Sequence, residues 1–212
     1  MTIIFFKIID KFFTSLTIKS YAANFIEFLE LRIPYMSKRA TKEIEKIILK
    51  EGYKNCFEWG SGSSTLWLEQ FMMSIVSVEY SKKWFDEVNK RIDKNKTALV
   101  FEAPQEDIGD KNEIKSKKKG YDKYSFKNYV STINNFENFD LIIIDGRARE
   151  YCLENSIKCL NKNGLIVFDD TYRKRYRDKI KTLPPSLKTR NIYGWSRFQM
   201  KISKLTLIYF AK

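Results

Sequence analysis

Five acidic positions recur where apolar runs of the chain give out: Glu58, Glu79, Glu102, Asp145 and the pair Asp169-Asp170. One carboxylate at a strand end is an ordinary helix cap, whereas five along one rim point to a binding site. The first belongs to Glu58-Trp59-Gly60-Ser61-Gly62-Ser63-Ser64-Thr65, where a half-apolar segment passes through two glycines into Leu66, Trp67, Leu68 and Phe71 at near-helical spacing. Glycine at 60 and 62 permits a tight turn that a ligand can approach closely, as nucleotide pockets of α/β folds require. A dinucleotide fingerprint would place a third glycine where Thr65 stands, with a pyrophosphate over the helix N-terminus. Glu58 at the strand end suits a cationic ligand better than a phosphate. Arginines follow the later acids: Arg147 and Arg149 after Asp145, then Arg173, Arg175 and Arg177. Their guanidinium forks either clamp a carboxylate, phosphate or sulfate over the sheet edge or solvate helix faces.

The chain has 212 residues and no histidine. That removes the commonest general base, the usual zinc ligand and any Ser-His arrangement, and leaves carboxylates, Tyr, Lys or a metal-bound oxygen to accept protons. Lys plus Arg number 39 against 26 Asp plus Glu, a formal charge of +13. Such an excess favours nucleic acid, acidic glycans or a lipid surface, or else merely solvates the exterior. Cys56, Cys152 and Cys159 make no disulfide framework; Cys152 and Cys159 lie seven apart on one helix face, as buried thiols in a reducing compartment would.

Elements of suitable length must position these residues. Helices are predicted over Ile3 to Thr17, Ala22 to Leu31, Lys38 to Lys50, Ser63 to Phe71, Lys82 to Asp93, Ser125 to Asn135 and Arg149 to Leu160. Strands are predicted over Asn55 to Trp59, Ser74 to Glu79, Ala98 to Glu102, Phe139 to Asp145 and Gly164 to Asp169. This alternation implies right-handed crossovers and a parallel sheet covered on both faces, with ligands outside the carboxyl ends of the strands. Arg190 to Tyr193 and the run Lys204 to Phe210 read as two more strands, the last closing the exposed edge antiparallel. The longest polar connection, Lys111 to Lys119 with Tyr121-Asp122-Lys123-Tyr124, is either a lid carrying an aromatic or a flexible loop.

Met1 to Lys19 is rich in Phe and Ile, but Lys7, Asp10 and Lys11 interrupt it short of the ~20 residues of a membrane span. No secretory cleavage pattern follows it. Ile4, Ile8, Phe12 and Leu16 repeat at i, i+4, as in a helix packed on the domain or lying in a membrane interface. The expected division is an N-terminal helical extension over residues 1–50 and an α/β domain over 51–212, together one globular unit.

Over roughly Asn55 to Phe210 the ordered motifs resemble class I S-adenosylmethionine-dependent methyltransferases. The resemblance implies a Rossmann-like seven-stranded, mostly parallel sheet whose last strand is inserted antiparallel. Glu58-x-Gly60-x-Gly62 resembles the first motif, which together with Trp59, Ser61, Ser63 and Ser64 would pass under the methionine part of the cofactor. Ser77-Val78-Glu79-Tyr80 resembles the second, in which the acid accepts from both ribose hydroxyls. Glu102-Ala103 falls where the family contacts adenine, and Asp145 beside the transferred methyl. A sulfonium and an ammonium on the cofactor agree with acids at the strand ends.

The acceptor is read from Leu141 to Arg149. No proline follows Asp145, as amino-methylating enzymes of nucleic-acid bases would have; no Pro-Cys pair serves carbon methylation; and no glutamate pair marks an arginine methyltransferase. An oxygen acceptor follows. Asp145 with Asp169 and Asp170 resembles the metal set of sugar and small-molecule O-methyltransferases, which implies Mg²⁺ or Ca²⁺ as a second cofactor. Alternatively Asp145 shapes its turn, Asp170 caps a helix from Thr171, and Asp169 or Asp170 is a general base. The whole pattern also resembles small bacterial methyltransferases of surface-polysaccharide biosynthesis. The expected enzyme is cytoplasmic, with contact to the inner membrane face through residues 1–19, and acts on an acidic or lipid-linked glycan with Arg147 among its catalytic residues. An RNA methyltransferase and a non-catalytic protein docking to a membrane or partner are the alternatives.

Overall fold

The apolar runs that end on acids form parallel strands in the computed structural model, which describes residues 29–106, 109, 114–195 and 202–211. The central strands β1 (Asn55–Trp59), β2 (Ser74–Glu79), β6 (Phe139–Ile144) and β7 (Leu160–Phe168) carry buried side chains on both faces, while β3 (Thr97–Phe101) forms an edge with only Thr97 buried. Alternation sends Phe57, Trp59, Ile142, Ile144, Ile166 and Phe168 to one core and Cys56, Leu141, Ile143, Leu165 and Val167 to the other. A short antiparallel pair, β4 (Gln105–Glu106) and β5 (Tyr124–Ser125), stands apart from this sheet.

Helices cover both faces. The first described helix of length, α1 (Lys38–Glu51), begins where the Ser37 hydroxyl accepts the Ala40 N–H and ends at Gly52, whose left-handed φ of 69° lets its N–H reach Ile48 O. Its buried stripe Ala40, Ile44 and Ile48 packs on the same core as Ile143, Val167 and Leu207, so the predicted N-terminal extension is in part built into the domain. α2 (Ser63–Leu68) adds Trp67 and Leu68 to that side, and α3 (Lys82–Asn89) follows β2. On the opposite face lie α4 (Lys127–Ser131) with a 3₁₀ turn over Thr132–Asn135, α5 (Arg149–Cys159) and α6 (Lys174–Lys181).

With β8 (Leu187–Trp195) and β9 (Ile202–Phe210), the sheet order is β3-β2-β1-β6-β7-β9-β8. β9 runs antiparallel to both of its neighbours, while the other pairings are parallel. The last strand is therefore inserted beside β7, and β8 takes the edge expected for it. Composition explains the exchange: β9 buries Leu205, Leu207 and Ile208, whereas Lys188, Thr189, Arg190 and Asn191 of β8 are exposed on the open side.

Several element ends differ from those read in the sequence. The helix expected over Ser63 to Phe71 stops at Leu68, closed by Gln70 and Phe71 N–H groups that bond three residues back. That expected over Ser125 to Asn135 starts two residues late, because Ser125 pairs with Gln105. The helix read as an alternative from Thr171 with Asp170 as its cap is α6, which starts at Lys174 with Arg173 at the N-cap, and the β4–β5 pair was not foreseen. All three cysteines are free and buried. Among the described residues no helix is long and apolar enough to cross a membrane. The helix predicted over Ile3 to Thr17, most of Ala22 to Leu31, the interfacial reading of residues 1–19 and Lys111 to Glu113 lie outside the described residues.

Candidate functional site

At the carboxyl ends of the parallel strands lies a cavity of about 410 Å³. Its floor is the turn after β1. Gly60, at φ 93°, donates its N–H to Val78 O at 2.9 Å, and the Asp145 N–H reaches Trp59 O at 3.0 Å. A Cβ on Gly60 would stand 2.8 Å from both Cα and N of Gly146, so the turns after β1 and β6 are pressed together to a distance only glycine allows. Thr65, in place of the third glycine, accepts the Gly62 N–H at 2.9 Å and donates to Glu58. The Trp84 indole N–H holds Ser61 O at 2.6 Å from the side of α3.

Two of the expected residues turn inward rather than toward the cavity. Glu58 is fully buried and accepts hydroxyl bonds from Ser64, Thr65 and Ser77, all within 2.8 Å. Burial pushes its carboxyl up to about 7 despite those three bonds. Glu58 braces the turn from beneath and is no counter-charge on the rim, which corrects the reading of its acidity as ligand selection. Trp59 is also fully buried, its indole N–H bound to Tyr129 O at 2.9 Å. Glu102 and Ala103 follow β3, outside the cavity lining; Glu102 contributes its N–H to Glu79 O. A strand-end position did not suffice, because the pleat decides which face each side chain takes.

The remaining expected residues converge. Gly60, Ser61, Gly62, Ser63, Ser64, Glu79, Tyr80 and, beside Tyr80, Arg147 line one end, Asp145, Asp169 and Asp170 the other. Glu79 is only 3% exposed, with Oε1 taking the Ser81 N–H at 2.7 Å. Burial raises its carboxyl to about 7, opposed by the N–H groups of Ser81 and Tyr80 and the charge of Arg147. The Tyr80 hydroxyl accepts from both Arg147 Nε and Lys118 Nζ at 3.1 Å, and the Arg147 guanidinium stacks over the ring. Tyr121, from the long connection, packs edge-on against Tyr80 at 5.6 Å.

At the other end Arg149, the first residue of α5, stands among the three aspartates. Its Nη2 is 2.7 Å from Asp145 Oδ1 and 2.8 Å from Asp145 O, and Nη1 is 3.7 Å from both Asp169 Oδ2 and Asp170 Oδ2. Burial raises the carboxyls of Asp145 and Asp169, partly offset by Arg149; burial disfavours the Arg149 charge, yet the three carboxylates hold its pKa above the usual value. The metal expected on Asp145, Asp169 and Asp170 does not fit, because the Arg149 guanidinium pairs with all three carboxyls and the Asp145 and Asp169 side chains are hydrogen-bonded to each other. Among the described residues no group of three or more Asp, Glu or Cys side chains is disposed to hold a metal ion. Arg173 joins the lining and pairs with Asp170 at 2.8 Å, while Arg175 pairs with Glu150 on α5 and Arg177 with the Tyr172 carbonyl, away from the cavity.

Sequence reasoning missed Tyr35, Ser37, Ser81, Trp84 and Ser203, which also line the cavity. Trp84 carried a signal, a large aromatic in the helix following the strand-end acid. Tyr35 and Ser37 carried none. They precede the motif region by some twenty residues and arrive because α1 packs its start against β8, where a Cβ on Gly194 would meet Ser37 Oγ at 2.4 Å.

No protein-family model matches the chain, and no curated protein matches it. Solved structures do. A Klebsiella pneumoniae protein assigned as an O-methyltransferase superposes with a TM-score of 0.65 at 13% identity, covering 90% of this chain and 89% of its own. The O-methyltransferase from Bacillus cereus in complex with SAH gives 0.61 at 16% identity, covering 86% and 89%. The N-methyltransferase NodS from Bradyrhizobium japonicum gives 0.51 at 14%, covering 81% and 94%. At such identities the likeness is one of fold, the Rossmann-like methyltransferase fold, and it spans enzymes with different acceptor atoms.

Proposed function

We propose that the chain transfers a methyl group from S-adenosylmethionine to an oxygen of an anionic sugar or glycan. Glu79 carries the reading: a carboxylate buried at the end of the second parallel strand, lining the same cavity as the Gly60–Gly62 turn. A ribose diol is the natural partner for such a group, since a carboxylate accepts two O–H donors side by side. The fold shared with methyltransferases supports it, and so does the chemistry of the lining, whose acids complement a sulfonium and an ammonium and would repel a pyrophosphate.

S-Adenosylmethionine, which the Gly60–Gly62 turn and Glu79 would hold, would supply an electrophilic methyl carbon on a sulfonium whose sulfur leaves as a neutral thioether. The chain's own residues do the rest. The glycine turn and Glu79 fix one end of the cavity, and Asp145, Asp169 and Arg149 the other. Burial makes Asp145 and Asp169 better proton acceptors than exposed carboxylates, so one of them takes the hydroxyl proton as the oxygen attacks. Arg147, Arg173 and Lys118 stand about the rim with charge suited to a carboxylate or phosphate on the acceptor. Alignment is the main catalytic demand, because methyl transfer needs little covalent help.

Calorimetric titration with S-adenosylhomocysteine, followed by label transfer from S-adenosylmethionine to uronic-acid oligosaccharides, neutral oligosaccharides and RNA, tests this. Saturable binding with label on the acidic sugars is expected. Absence of binding would overturn the cofactor assignment, and label on RNA alone would overturn the acceptor.

A further inference from the structure

The metal-ligand pattern in the sequence and the guanidinium found at its centre disagree, and the disagreement has a chemical meaning. We infer that Arg149 takes the place of a divalent cation at the acceptor end of the cavity, so that a fixed guanidinium, and no metal ion, gathers the three aspartates. The inference rests on the methyl-transfer reading of the site.

Four observations carry it. Arg149 is 7% exposed and anchored on three sides: Nε donates to Gly146 O at 3.0 Å, Nη2 to both Asp145 O and Asp145 Oδ1, and the Tyr176 ring lies under Cζ at 5.9 Å. A group held so firmly is a fixed part of the site and would not swing out to admit an ion. The second is valence. Nη1 is buried without a hydrogen-bond partner, 3.7 Å from Asp169 and from Asp170, too far to bond either. Its contact with the site is therefore electrostatic, an ion pair at 3.7 Å to each of the two carboxylates, which closes the space a metal ion would need.

Charge is the third. Three carboxylates face two guanidiniums, Arg149 and Arg173, which leaves one formal negative charge. A hard divalent ion asks for several oxygen ligands at 2.0–2.6 Å, and here each aspartate is already engaged by a cation. Backbone geometry is the fourth. Ala148, immediately before Arg149, and Asp170 both adopt left-handed conformations without being glycine, at φ 48° and 59°. Non-glycine residues keep that conformation where surrounding structure enforces it, often at a site, and these two set the start of α5 and the end of the β7 turn against each other.

Cation binding by the full chain tests the inference, with Mn²⁺ alone as the probe, read by its paramagnetic resonance signal and by Mn²⁺-induced shifts in melting temperature. Wild type should show no saturable Mn²⁺ site up to millimolar concentration, and Arg149→Lys should behave alike. Arg149→Gln uncovers the three carboxylates and should bind Mn²⁺ at least tenfold more tightly, with Asp169→Asn in that background abolishing the gain. Tight Mn²⁺ binding by wild type that Asp169→Asn removes would overturn the inference, whether or not Arg149→Gln folds. So would an Arg149→Gln protein that folds and gains no cation affinity. S-Adenosylhomocysteine titration of the same proteins reports the methyl-transfer reading separately: its failure in wild type sinks that reading and leaves the cation result standing.

Discussion

Replacing Glu79 by Gln preserves the shape of the side chain and removes the charge that the proposed ribose contact depends on. Hydrogen bonds to a charged group contribute about 1.5–3 kcal/mol, so the substitution should weaken S-adenosylhomocysteine binding roughly 10- to 150-fold at about 1.4 kcal/mol per decade. The titration of Glu79 sharpens the expectation. With its carboxyl raised to about 7 by burial, about 9% is ionised at pH 6 and about 91% at pH 8. If the ionised form alone binds, wild-type affinity rises about tenfold across that interval. The Gln variant should lose that slope along with the affinity. Glu58 also titrates near 7, but it sits beneath the turn in both proteins, so the difference between them isolates Glu79. Isothermal titration calorimetry at pH 6, 7 and 8 measures all of this. A wild-type affinity flat across the range, or a variant with an undiminished slope, would refute the assignment.

Stability should fall as pH rises. Glu58 and Glu79 have folded values of about 7 against 4.5, so the native state retains protons that the unfolded chain releases between pH 4.5 and 7, and each group withdraws about 3 kcal/mol over that window. Urea titrations at pH 5 and 8 should show the loss, with Glu58→Gln removing the share that Glu58 contributes and leaving that of Glu79 and the raised Asp145 and Asp169; a protein more stable at pH 8 would contradict the burial argument. Gly60→Ala meets both a φ of 93° and a 2.8 Å contact with Gly146 and should cost about 2–4 kcal/mol, whereas a loss under 0.5 kcal/mol would show that the two turns can separate. Thr65→Val strips the Gly62 N–H and Glu58 of a partner and should cost about 1–3 kcal/mol; an unchanged denaturation midpoint would mean that Ser64 and Ser77 suffice.

The parallel sheet was legible because its signal is local. Short apolar runs such as Leu141-Ile142-Ile143-Ile144, separated by helical lengths, admit few arrangements once both faces must be covered. The Gly60–Gly62 turn, Glu79 and the three aspartates were legible for a related reason: ligands meet α/β sheets at strand ends, and those residues sit there. Which strand-end acids face the cavity depends on the pleat and on hydroxyl donors from other elements, so Glu58 disappeared beneath Ser64, Thr65 and Ser77. The order of β8 and β9 depended on which buries more apolar surface beside β7. Arg149 was visible only as one arginine among five. Its four-residue spacing from Asp145 places both at one turn, but that Asp169 and Asp170 arrive on its other side follows from β7 lying next to β6. Sequence alone determined the residue types around the site and the strands that present them. The tertiary structure decided their partners, since whether three carboxylates meet a metal ion or a guanidinium turns on contacts across strands that no spacing along the chain encodes.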